Sequence, residues 1–461
     1  MLYHSAHDTN PQTLCLINQV IQNQRYRQIL TIALPIIGGM VSQNILNLVD
    51  AAMVGYLGTA QLAAVGLASF INFVAAASFM GMSAGVQAMV SRRMGEGRDS
   101  EAANPLNGAL LTIFIIGLPV SVGLIVYAED LLRWLNDDPE VIRYGSVYLE
   151  ARLYAIMAVG MNFCYRGYWS AIKRTGFYLR TLLVMHSLNI LLNYLLIFGH
   201  FGFPELGVYG AGLGTSISMF GGTLIYTWLA LKHTKCYGFG LHLPRYETLI
   251  ALIKISIPSS IQQLFFALGF TILFWIVGQV GTYELAAANV LTNITLVAIL
   301  PCIAFGLSAA TLVGQALGRN DISDAYQWGW DTSVIASIVV VFIGLPMIFV
   351  PQWLLSLFLH EAEPIAIGIT PLRLVGIGIV IDAVGLVLMN ALQGAGATKV
   401  TLKVSFTMQW LFFLPLAWYL GPYAGLGLTE IWLMQLVYRA IQTAIYVWLW
   451  KQQQWAHIKL S

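Results

Sequence analysis

Leu30-Thr-Ile-Ala-Leu-Pro35 runs on through Gln43-Asn-Ile-Leu-Asn47-Leu-Val-Asp50 to Val54-Gly55-Tyr-Leu-Gly58-Thr59 and Leu62-Ala63-Ala64. The stretch is apolar over a length that crosses a bilayer, yet it carries a proline near one end and a carboxylate deep inside. Its frame returns 223 residues later. Pro35 falls on Pro258, Val54-Gly55 on Val277-Gly278, Gly58-Thr59 on Gly281-Thr282, and Leu62-Ala63-Ala64 on Leu285-Ala286-Ala287. Further on, Val90, Gly95, Ser100 and Ala102 meet Val313, Gly318, Ser323 and Ala325 at the same spacing, while Gly81-Met-Ser-Ala84 pairs with Gly306-Leu-Ser-Ala309 after a slip of two. The chain is therefore read as two homologous halves.

Composition fixes the environment. Of 461 residues 58% are hydrophobic and 10% charged, with a mean hydropathy of +0.74, against about 25% charged in soluble domains. Apolar segments are expected near 29–57, 62–90, 104–128, 144–171, 178–199 and 209–232, then near 249–279, 285–316, 332–357, 365–393, 400–420 and 425–450. The expected fold is an all-α polytopic membrane protein with twelve transmembrane helices. Six spans per half is an even number, so both halves enter in the same sense, and a parallel repeat of six-helix lobes follows, with a site between them.

The expected divisions are a tail at 1–28, a first lobe at 29–232, a basic connector at 233–248, a second lobe at 249–450 and a tail at 451–461. Arg25, Arg27, Arg92, Arg93, Lys173, Arg174, Lys232, Lys235, Arg319, Lys399 and Lys451 gather on one side, so both termini are expected in the cytoplasm of an inner (plasma) membrane protein. Residues 1–28 do not read as a cleavable signal. The net charge of +2 gives no reason to expect a nucleic-acid partner. Cys15, Cys164, Cys236 and Cys302 lie far apart and are expected as free thiols. No phosphate-binding loop, zinc-protease or serine-hydrolase motif appears, so neither ATP hydrolysis nor another enzymatic activity is expected.

Chemistry concentrates in a few polar positions. Gln43, Asn47 and Asp50 share one helix face, and an aspartate in hydrocarbon costs at least about 2.5 kcal/mol, so it is read as functional. Asp50 lies about 28 Å from Thr31 along a helix, in the outer half of the membrane. Loss of water penalises its charged form, so it is expected to exchange protons. In the second half Leu273 and Phe270 stand where Asp50 and Asn47 stand in the first, so the acidic stripe is not shared. His186, Asn189 and Asn193 form a matching face on the fifth span, and Thr215 in Gly210-Ala-Gly-Leu-Gly214-Thr215 adds a hydroxyl. Amides on such a face can equally serve helix packing. Pro35 is a hinge or a fixed kink. Asp382, in the tenth span, has no basic neighbour in sequence and is a second candidate cation site. Gln43, His186 and Gln262 are candidate linings of a substrate cavity.

Pro35 with Asp50, Gly55-x-x-Gly58…Leu62-Ala-Ala64, Gly81-Met-Ser-Ala-Gly85…Gly95, Val313-Gly314-Gln315-Ala-Leu-Gly318, Arg174-Thr-Gly176, Gly207-Val-Tyr-Gly-Ala-Gly212 and Gln393-Gly394-Ala-Gly396 together resemble the multidrug and toxic compound extrusion (MATE) family over nearly the whole chain. The acidic first helix and paired asparagines resemble its DinF-like branch. The resemblance implies a V-shaped pair of lobes exporting organic cations and amphipathic drugs, driven by protons or sodium without any other cofactor. It implies coupling at Asp50 with Asn47, Asn189, Asn193 and Thr215, and bending at Pro35. Some relatives carry an aspartate at the place of Asn193, which weakens the case for sodium there. Asp382 matches a carboxylate of the NorM-like branch, without that branch's glutamate in the seventh helix. Small-molecule drugs and membrane lipids are the expected partners, and the expected state is a monomer. The alternatives are a sodium-coupled exporter using Asp382 and a flippase for a lipid-linked precursor. The latter needs a basic cavity, and the embedded basic residues are few: Arg152, Arg166, Arg373 and Arg439.

Overall fold

The computed structural model describes residues 11–241, 244–359 and 361–460. Among the described residues there are helices and short turns but no strand. The first half contains α1 (Pro11–Gly55), α2 (Thr59–Gly95), α3 (Asn104–Val126), the short α4 (Ala128–Leu135), α5 (Pro139–Leu153), α6 (Ile156–Ala171), α7 (Thr175–Phe198) and α8 (Gly207–His233). The second contains α9 (Tyr246–Val280), α10 (Thr282–Gly318), α11 (Ile322–Phe349), the short α12 (Pro351–Ser356), α13 (Ala362–Gly394), α14 (Thr398–Phe406), α15 (Leu414–Trp418) and α16 (Leu428–Gln452). Wider π-helical turns at Thr407–Phe413 and Tyr419–Tyr423 flank α15.

Nine helical segments among the described residues are long and apolar enough to cross a membrane. The other three expected spans are the pair α5–α6, α8 and α16. The expected span 144–171 is interrupted at Tyr154–Ala155, which leaves α5 and α6 as two shorter helices. In α8, Gly210, Gly212, Gly214, Ser216 and Ser218 are buried, so its burial favours small and hydroxylated residues over large apolar ones. Helix α1 begins at Pro11, well before the first expected span. Cys164, Cys236 and Cys302 are free thiols, and the Cys15 side chain lies outside the described residues.

The repeat is written in the backbone. After α2, Gly97 takes a left-handed φ of +72°, and Arg98 N donates to Arg93 O at 3.0 Å. At the same 223-residue spacing, Asn320 takes φ +59° after α10, and Asp321 N donates to Ala316 O at 3.0 Å. Both are the six-to-one bond of a left-handed helix cap. Lys173 after α6 and Gly396 after α13 repeat the device, with Arg174 N to Trp169 O at 2.9 Å and Ala397 N to Leu392 O at 2.8 Å. Side-chain packing follows suit: Leu132 seats on Gly145 in the first half as Leu355 seats on Gly368 in the second.

The halves meet around a pseudo-two-fold axis between α2 and α10. A Cβ on Gly95 would sit 2.1 Å from Gln315 O, and one on Gly318 would sit 2.2 Å from Arg92 O. Gly95 and Gly318 are repeat mates, as are Arg92 and Gln315, so each contact is the image of the other. Only glycine permits backbones this close. Every residue from Ala304 to Gly318 is buried, which makes this part of α10 the centre of the molecule.

Contacts across the axis cluster at the arginine-rich end. Ser308 Oγ donates to Ile29 O (3.3 Å), Thr311 Oγ1 to Ser170 O (3.1 Å), Gln315 Nε2 to Ala171 O (2.8 Å) and Arg93 to Thr248 Oγ1 (3.1 Å). Gly81 and Gly85 of α2 admit Ser256 and Ser260 of α9. Towards the other end, α2 packs at Ala64 on Gly145 and α10 packs at Ala287 on Gly368, each within its own half. There Ile45 and Leu48 of α1 stand 55% and 72% exposed. The hydrogen bonds described here between the halves thus gather at the basic end.

Candidate functional site

The two polar faces read from the sequence meet side by side, because α1 packs along α7. Asn193 Nδ2 donates to Asp50 Oδ1 at 2.8 Å. The Asn189 amide satisfies its neighbours best with its nitrogen 3.1 Å from Asp50 Oδ1 and its oxygen 3.0 Å from Thr215 Oγ1. Asp50 is half-buried, whereas Asn189, Asn193 and Thr215 are buried. Position 214 is glycine because a Cβ there would lie 2.2 Å from Asn193 Oδ1. That oxygen has no hydrogen-bond partner. Neither of the two donors facing Asp50 is charged, and the positive group whose field reaches it is Arg152 of α5.

About two turns closer to Pro35 a second cluster ties the same helices. Ser42 Oγ lies 2.7 Å from His186 Nδ1, and His186 Nε2 lies 3.1 Å from Gln43 Oε1. Gln43 Nε2 donates to Asn47 Oδ1 at 3.1 Å. Asn47 is exposed and belongs to this cluster; no hydrogen bond joins it to Asp50.

Helix α1 continues through Pro35. Proline has no N–H to give the carbonyl four residues back, which is Thr31 O. The Thr175 hydroxyl, at the first turn of α7, donates to that oxygen at 3.3 Å. Thr175 is buried, so the bond made across the helix pair replaces the one the proline removes.

In the second half the structure corrects the reading of Asp382. The sequence offers no adjacent base, but α16 brings Arg439 to it, Nε 3.7 Å from Oδ1. Gln262 lies beside this pair. Its amide donates to Ser405 Oγ (2.9 Å) and its oxygen accepts from Gln393 and Thr401 (3.1 Å each). Gln262 is thus far from Gln43 and His186 and lines a separate cavity in the other half. Among the described residues no cluster of three or more His, Cys, Asp or Glu could hold a metal ion.

The MatE family model matches residues 35–195 and again 258–419. The two matches begin 223 residues apart, at Pro35 and Pro258. The chain belongs to the MatE family. Curated relatives include the probable multidrug resistance proteins NorM of Bradyrhizobium diazoefficiens, 28% identical over 94% of each chain, and of Agrobacterium fabrum, 26% identical over 88% of this chain and 89% of the other. Among solved structures, one described as the outward-facing conformation of a multidrug resistance MATE transporter superposes with a TM-score of 0.86 at 22% identity, covering 94% of this chain and 97% of that one. A MATE in complex with MaL6 superposes at 0.84, with 22% identity over 93% and 96%. The MATE fold therefore holds for this chain: twelve membrane-crossing segments in two six-helix lobes.

Two residues of this MatE protein's polar sites are not singled out by the sequence reading, and a third is named there without its partner. Ser42 sits between Val41 and Gln43 and carries no signal until its partner His186 is known. Thr175 lies inside the quoted Arg174-Thr-Gly176, and only the missing bond at Pro35 gives its hydroxyl a purpose. Arg439 was visible as an isolated charge in an apolar run, but its pairing spans helices 57 positions apart.

Proposed function

We propose that this protein is a proton-coupled exporter of organic cations and amphipathic drugs, working as a monomer in the inner (plasma) membrane with both termini in the cytoplasm. The observation that carries this reading is Asp50, held by two amide donors between α1 and α7, far along the helix from the basic end.

Ionised, Asp50 accepts from Asn193 and Asn189 and draws α1 against α7. A proton turns the carboxylate into a donor and removes one acceptor site. The Asn193 amide, whose oxygen has no partner, can turn to take that proton's hydrogen bond. The bonds to Asp50 are then neutral and about half as strong as the charge-assisted ones they replace, so the α1–α7 contact loosens and α1 bends at Pro35, where one backbone bond is already missing. Substrate held in the first lobe, against Gln43 and His186, is released outward. Each proton entering down the membrane potential supplies about 2.3 kcal/mol per 100 mV. The relatives named as multidrug resistance proteins support the export of drugs.

The deciding experiment follows a fluorescent organic cation out of proteoliposomes under a proton gradient or a sodium gradient, imposed separately. Wild type is expected to respond to protons, and Asp50→Asn to lose that response while remaining folded. Sodium-driven export that ignores Asp50→Asn sinks the reading.

A further inference from the structure

Asp382 is a second carboxylate inside the membrane for which the scheme above has no use, and its surroundings differ from those of Asp50. Arg439 Nε stands 3.7 Å from its Oδ1, with the two side chains 12% and 14% exposed. That is too long for a hydrogen bond, and Nε has no other partner. The guanidinium lies against the Tyr438 ring, its carbon 5.2 Å from the ring centre. The pair opens into a cavity of about 130 Å³, walled by amides such as Gln263, Asn390 and Gln442. Among the described residues no other charged side chain lines it. Gln262 closes one side of this wall with bonds of its own to Ser405, Gln393 and Thr401.

A carboxylate taken out of water must be neutralised by a proton, a bound cation or a fixed one. A buried ion pair without hydrogen bonds contributes little to stability, because desolvation offsets the attraction. The charge balance, in contrast, is complete: one fixed positive group for one negative group. A sodium ion at Asp382 does not fit this arrangement, since the guanidinium already stands beside the carboxylate.

We propose that Arg439 is a tethered cation occupying the place a diffusible cation would otherwise take at Asp382, and that it thereby sets the ion specificity of the protein. Asp382 then exchanges neither sodium nor protons. Asp50 remains the exchangeable charge, and this last clause alone rests on the proton-coupled reading. Without the guanidinium, the cavity keeps a negative charge surrounded by carboxylate, amide and hydroxyl oxygens, the donors that suit a hard cation. Arg439→Gln converts the cavity into a sodium site.

The test measures binding rather than export, so it succeeds or fails independently of the Asp50→Asn assay. Thermal unfolding of the purified full chain is followed in sodium chloride and in choline chloride at equal ionic strength. Wild type and Arg439→Lys are expected to show no sodium-specific shift. Arg439→Gln is expected to show a saturable upward shift in Tm, and Arg439→Gln with Asp382→Asn to lose it. A saturable sodium shift in wild type that Asp382→Asn removes overturns the proposal, as does an Arg439→Gln response no larger than that of the double variant. Should Arg439→Gln survive purification only in sodium, that supports the proposal; loss in both salts while the double variant folds counts against it.

Discussion

At the scale of the residue, the two intramembrane aspartates receive opposite treatment. Half-buried Asp50 is met by neutral amides, Asp382 by a guanidinium. Amides can follow a carboxylate through a change of charge by rotating; a guanidinium has only donors to offer. Asn193→Ala therefore removes the donor that distinguishes the two states of Asp50. A hydrogen bond to a charged group contributes about 1.5–3 kcal/mol, so proton-driven export is expected to fall by about tenfold or more. Asn193→Ser, which keeps an acceptor and a donor, is expected to retain more. Equal export by Asn193→Ala and wild type at matched protein levels removes Asn193 from the coupling account. Asp50 and the asparagines were legible from spacing alone, because 3.6-residue periodicity places them on facing stripes. Arg439 was not, because spacing within one helix says nothing about a neighbour on another.

At the scale of the element, Pro35 and Thr175 form one unit. The proline leaves Thr31 O without its helical donor, and the Thr175 hydroxyl fills the gap from α7. Thr175→Val is expected to cost about 1 kcal/mol of stability in the wild-type background. In Pro35→Ala the helix recovers its own N–H at that carbonyl, and Thr175→Val should become nearly neutral. Denaturation midpoints of the four proteins form a double-mutant cycle. Additive effects would mean that the hydroxyl and the proline are unrelated. If the bond must break when α1 bends, Thr175→Val should also shift export without affecting Asp50. The sequence announced the proline but left open whether it was hinge or kink. What it leaves out is the hydroxyl across the helix pair that takes up the carbonyl the proline frees.

At the scale of the whole molecule, the basic end is held by a latch between the halves. Arg25 of α1 donates to Asp331 Oδ2 and Asp324 Oδ1 of α11, each at 2.5 Å, and lies 3.7 Å from the centre of the Trp328 ring. Arg319 also reaches Asp324, at 2.8 Å. Any state open at this end must separate Arg25 from both carboxylates. Arg25→Ala is expected to shift the population toward that state. Spin labels on exposed Gln28 and Gln327, in a background without native cysteines, would read the change as longer distances. An unchanged distance distribution refutes the latch. The pairing of like contacts around Gly95 and Gly318 gives such a motion a symmetric pivot, where the backbones of two similar lobes meet at glycine.

The sequence alone determined a great deal: the membrane, the helices, the two halves and the carboxylate worth watching. These follow from local composition, helical period and self-similarity, each a one-dimensional property. Even so, the repeat read from the sequence ends at Ala102 and Ala325, although Leu132, Gly145 and the turn at Lys173 continue it at the same spacing. The turn itself is conserved in backbone form but not in residue type, lysine in one half and glycine in the other. Only the tertiary structure decided that Asp50 faces amides, that Asp382 faces Arg439, that Asn47 turns to Gln43, and that the bonds between the halves gather at the basic end. The reason is physical. Which charge meets which partner depends on how helices pack, and packing is set by surfaces whose residues lie scores of positions apart in the chain.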